Sequence, residues 1–95
     1  MRDQYVTCTE TLDFVEVEVE YMDDCGNIDT EVEQMDETEV EEYLAGFELE
    51  GCTVKTAEVW EMVAEITYCG TNWDNAYEVD RSEAERGDML WERVA

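Results

Sequence analysis

The chain has 95 residues, enough for one domain with one hydrophobic core and too few for two. It is 44% hydrophobic and 11% aromatic, which excludes a disordered acidic tail. Its 28 Asp and Glu against five Lys and Arg give a formal charge of −23, and the absence of His excludes the Ser-His and Cys-His arrangements of nucleophilic catalysis.

The opening Met1-Arg2-Asp3-Gln4 leads into no apolar stretch of the signal-peptide type. No apolar run approaches the roughly 20 residues of a membrane helix, and acidic surfaces are repelled by anionic lipid. The expectation is a cytoplasmic protein, away from membranes, with Cys8, Cys25, Cys52 and Cys69 reduced.

From Phe14 to Tyr21 apolar and acidic residues alternate with period two, the pattern of a half-buried strand. Cys25-Gly26 then reads as a hairpin tip, because Gly accepts the positive φ of tight turns, and residues 28–35 read as the returning strand. Asp36-Glu37-Thr38-Glu39 has the spacing of a helix-capping box. Val40, Tyr43, Leu44 and Phe47 follow at helical spacing, with Gly46 as a stop.

The stretch from Thr56 to Tyr68 is apolar in both phases of a two-residue alternation, so periodicity alone does not separate strand from helix. A repeat decides for strand. Sliding the chain by 44 residues lays 8–51 on 52–95 with ten identities, among them Cys8 with Cys52, Val15 with Val59, Val19 with Val63 and Cys25-Gly26 with Cys69-Gly70. By the same repeat residues 72–79 form a strand, Asp80-Arg81-Ser82-Glu83 caps a second helix, and Ala84, Met89, Leu90 and Trp91 give that helix its apolar mass, with Gly87 a weak spot. The predicted fold class is α+β: one domain over 1–95, a duplicated β-β-α unit giving a four-stranded antiparallel sheet with two helices on one face.

The acids are unevenly placed. Between Arg2 and Lys55 stand 18 acids and no base. A two-residue tip at Cys25-Gly26 pairs Asp24 with Asn27, Glu20 with Glu31 and Glu18 with Glu33, which puts all the strand carboxylates on one face at a cost in like-charge repulsion. Their spacing, about 6.8 Å along a strand and about 4.8 Å between strands, is comparable to that of phosphates at about 3.4 Å per step on each strand of a duplex.

In size, acidity and the carboxylate layout from Glu16 to Glu42, the chain resembles the phage-encoded DNA-mimic inhibitors, the anti-CRISPR and anti-restriction proteins. That resemblance implies a non-enzymatic inhibitor that occupies the DNA- or RNA-binding groove of a basic partner such as a Cas effector or a restriction enzyme, and that does not itself bind nucleic acid. The partner-binding candidates are Glu16, Glu18, Glu20, Asp23, Asp24, Asp29, Glu31, Glu33, Glu37 and Glu41. Two rival readings stand beside it: an acidic adaptor of a basic protein without mimicry, and a halophile-type solvated surface.

No cofactor is expected: the glycines form neither a P-loop nor a dinucleotide fingerprint. No metal site is expected either. With Gly26 in the glycine position of an EF-hand loop, Tyr21, Cys25 and Val32 occupy ligand positions, and the cysteines lack zinc spacing. The cysteines are predicted to be small core residues. Trp60, Trp73, Trp91, Tyr43 and Phe47 are predicted to pack in the core or between helix and sheet, with Trp73, just past the second Cys-Gly, the one of them best placed for exposure.

Overall fold

The computed structural model describes residues 3–95. Five antiparallel strands and one helix follow in the order β1 (Gln4–Met22), β2 (Ile28–Met35), α1 (Val40–Leu49), β3 (Thr53–Gly70), β4 (Tyr77–Arg81) and β5 (Glu85–Val94). β3 is central. β1 lies along one edge of it and carries β2 outside, while β4 and β5 share the other edge. β1 and β3, at 19 and 18 residues, are far longer than an ordinary strand of about six. The product is a rod with principal extents of 67 × 20 × 17 Å. Among the described residues no helix is long and apolar enough to cross a membrane.

One helix, not two, covers this sheet. α1 buries Val40, Leu44 and Phe47 against Val15, Val17, Val19, Ala57 and Val59. Its start is close to the expected one. Asp36 accepts from the Thr38 backbone N–H at 3.0 Å, and a 3-10 turn over Glu37–Glu39 leads into α1. Its end is not at Gly46, through which the helix continues. Cys52 N–H donates to Phe47 O and Gly51 N–H to Glu48 O, with Gly51 at φ +89°, the paired bonds that close a helix on a left-handed glycine.

The second helix is replaced by β5, which overturns the duplicated β-β-α architecture. A strand as long as β3 needs a partner along its second edge, and β5 supplies it from Thr56 to Val63. Gly87 is fitted to that role, since a Cβ there would stand 2.7 Å from Glu61 Oε1 and 3.0 Å from Val63 Cγ1. Ser82 caps nothing helical. Its N–H donates to Glu65 O at 2.9 Å and its hydroxyl accepts from Glu65 N–H at 2.8 Å, so it joins β4 to β5 along the β3 edge. The two Cys-Gly pairs also differ. Gly26 has φ +89° in open space, whereas Gly70 lacks a side chain because the Ala76 backbone presses on it.

The core changes faces along β3, which accounts for the double alternation in its sequence. Ala57 and Val59 are buried on the helix face; beyond Trp60, burial passes to Met62, Ala64 and Ile66 on the opposite face. The switch coincides with a bulge in β1, where Thr11 pairs with Val63 and Val15 with Glu61, so that three β1 residues stand against Met62 alone.

Candidate functional site

The first hairpin determines where the carboxylates go. Asp23 N–H donates to Asn27 O at 2.9 Å, and Asp23 Oδ1 accepts from the N–H groups of Cys25 and Asn27 at 2.9 and 2.8 Å. The loop is therefore three residues, Asp24-Cys25-Gly26, with glycine in the left-handed position. It is one residue longer than the expected tip, and the register moves by one. Glu18 faces Val32, Glu20 faces Thr30, and Glu31 faces Val19. A slip of one residue turns a whole strand over.

The single carboxylate face is thus corrected to two. Glu16, Glu18 and Glu20 lie on the sheet face away from α1, with Thr30 and Val32 of β2. Asp29, Glu31 and Glu33 lie on the α1 side with Val17, Val19 and Tyr21. Asp23 and Asp24 stand at the hairpin tip, Glu37 in the 3-10 turn and Glu41 on α1. Arg86 pairs with Glu16 and, at 3.2 Å, with Glu18, and Arg93 pairs with Glu41 at 2.7 Å. The other seven candidates make no ion pair among the described residues. The hydrogen bonds that Arg86 donates to Glu16 and Glu18 hold its guanidinium above its usual pKa.

Other acids extend these surfaces: sequence reasoning placed Glu39 and Glu42 on the helix without counting them as candidates, and missed Glu50, Glu58 and Glu92. On the face away from α1, Glu18 stands across from Glu58 and Glu58 across from Glu92, so three like charges form one row over three strands. On the other side, Glu39, Glu42 and Glu50 of the helical segment face Glu31 and Glu33 across a groove floored by Tyr43 and Phe47. Helical spacing from Glu39 could have found the second set. The first set depended on a register that only the loop length specifies.

The tip is internally engaged. Asp23, Asp24 and Cys25 place donor atoms within 4.8 Å of one another, but Asp23 is occupied in building the turn. The Asn27 backbone N–H, ahead of the other bonds, holds its carboxyl below the usual range. Cys25 is exposed here, so it is not a core residue as expected; Cys69 is buried, and Cys8 and Cys52 are half-buried. Trp60 lies on the face away from α1 with the Arg86 guanidinium 5.3 Å from its ring, not between helix and sheet. Trp91 does pack against the α1 core, and Trp73 is 67% exposed.

In the groove, burial and the nearby Glu31 and Glu33 push the Tyr43 phenol up to about 12. Its hydroxyl oxygen is buried and makes no hydrogen bond among the described residues. The chain matches no known protein family, no curated protein and no solved structure.

Proposed function

We propose that this protein is a non-catalytic inhibitor that enters the nucleic-acid channel of a basic partner and holds it as a polyanion would. The observation that carries this reading is linear charge density. Twenty-three net negative charges along a 67 Å rod amount to about one per 3 Å, between the roughly 1.7 Å per charge of a duplex axis and the roughly 3.4 Å of one strand. The division of carboxylates over two faces and a tip supports contact with a channel that surrounds its ligand. Mimicry in this form rests on the rod as a whole, not on a phosphate-spaced patch. Arg86 and Arg93 reduce the charge locally at Glu16, Glu18 and Glu41.

The deciding experiment is capture of a partner from lysate on the immobilised protein, followed by elution with duplex DNA, single-stranded DNA or RNA. Release by nucleic acid, and by salt near 0.5 M where screening shortens to a few ångströms, is the expected result. Retention of the partner in excess nucleic acid defeats the reading.

A further inference from the structure

We infer that the groove between α1 and β2 is a docking site for a Lys- or Arg-flanked segment of the partner bearing an aromatic or large apolar anchor. The inference rests on the partner being basic, as proposed above, but not on its binding nucleic acid. Two hollows of about 490 and 380 Å³ share Glu42 and Tyr43 and run along the helix. Glu31 and Glu33 form the β2 wall, and Glu42 stands on the helix wall. Among the described residues no Lys or Arg lines either hollow. Charge complementarity therefore requires cations from outside.

The floor is of a different kind from the walls. The rings of Tyr43 and Phe47 meet edge to face at 5.2 Å, in a surface suited to another aromatic or large apolar side chain. Gly46 is the independent sign. Glycine inside a helix costs on the order of 1 kcal/mol relative to alanine, and here nothing lies within 4 Å of the position its Cβ would take. No contact within this chain calls for the missing side chain. A partner passing close to the helix does.

The test is an NMR titration of the full ¹⁵N-labelled chain with two probes of equal charge: an oligolysine, and a Lys/Arg peptide with a central Trp-Leu pair. The expected result is roughly tenfold tighter binding of the Trp-Leu peptide, with shifts concentrated at Gly46 and Phe47. Gly46→Gln fills the groove without altering charge, and is expected to weaken the Trp-Leu peptide roughly tenfold while leaving oligolysine unchanged. Glu33→Gln/Glu42→Gln provides a second variant should Gly46→Gln fail to fold, with weakening of both probes expected. Equal affinity for the two probes, an unaffected Gly46→Gln, binding of both probes undiminished in Glu33→Gln/Glu42→Gln, or shifts centred on Glu18 and Glu58 each overturn the inference. Failure of nucleic-acid elution in the lysate experiment removes mimicry and leaves the groove standing; failure of this titration removes the groove and leaves mimicry.

Discussion

Glu18 of β1 stands directly across from Glu58 of β3, and the Arg86 guanidinium reaches Glu18 and Glu16 from β5 while lying 5.3 Å from the Trp60 ring centroid. One cation thus ties three strands together where like charges would otherwise force them apart. Arg86→Gln is expected to lower stability by about 1 kcal/mol, a value kept small because Arg86 and Glu18 are each about a third exposed to screening water. Urea denaturation at low and high salt checks this. The deficit should shrink as salt rises; a salt-independent loss would assign Arg86 a packing role instead.

The same pairing alters how the strand acids can be tested. Reversing Glu16 and Glu18 to Lys sets new cations against Arg86 and confuses folding with binding. Asp29→Lys/Glu31→Lys/Glu33→Lys is cleaner, because these three make no ion pair among the described residues. It should reduce partner capture by roughly tenfold or more, while single reversals change it little, since each charge is screened and the energy is distributed. Glu20→Lys/Glu92→Lys, on the face away from α1, should weaken capture as well if a channel surrounds the rod. Full capture by this second variant would confine binding to the helix side.

Legibility followed locality. The Phe14–Tyr21 alternation and the α1 stripe of Val40, Leu44 and Phe47 depend on neighbours in sequence, and the structure reproduces them. What failed depended on partners far away. Glu85–Val94 becomes a strand because β3 has an open edge, a tertiary demand that the helix-like apolar content of 84–91 does not reveal. The carboxylate map failed through one residue of loop length. Asp23 had the side chain to build a three-residue turn, and the turn's bonds override the alternation of Ile28–Met35, setting Asp29, Glu31 and Glu33 on the α1 side and leaving Ile28 and Val32 exposed on the other.

Three glycines should respond to alanine in opposite directions. Gly26 and Gly51 both sit at φ +89°, so Gly26→Ala and Gly51→Ala are each expected to cost about 1 kcal/mol despite open space around them. Gly46→Ala has ordinary helical φ and open space, and should stabilise by about 0.5–1 kcal/mol. Thermal melts of the three variants check the pattern. A destabilised Gly46→Ala would mean that the helix is strained at that position.

Acid should act through the turns. Bonds from backbone N–H groups depress the carboxyls of Asp23 and Asp36 in the folded chain relative to the ordinary value of 3.8. A depressed folded pKa means that the unfolded chain binds its proton first as pH falls, so the stabilisation is complete above 3.8 and is lost as pH drops through the folded values. Asp23→Ala should therefore be less stable than the wild type at pH 7, with the gap closing below pH 3.8. Urea midpoints across that range decide it, and a gap that persists in acid would show that the Asp23 charge is not what holds the turn.

Alkali should act through Tyr43. Burial first, then Glu31 and Glu33, raise its folded pKa from 10.0 to about 12. Between those values the unfolded phenol has lost its proton and the folded one has kept it, so stability falls as pH rises from 10 to about 12. Tyr43→Phe removes that dependence. It also removes a buried hydroxyl with no partner among the described residues, whose desolvation costs on the order of 1 kcal/mol. The variant should accordingly equal or exceed the wild type in stability at pH 7 and lose less stability between pH 10 and 12. Urea midpoints at neutral and alkaline pH measure both effects. A Tyr43→Phe protein less stable at neutral pH would mean that the hydroxyl is already satisfied.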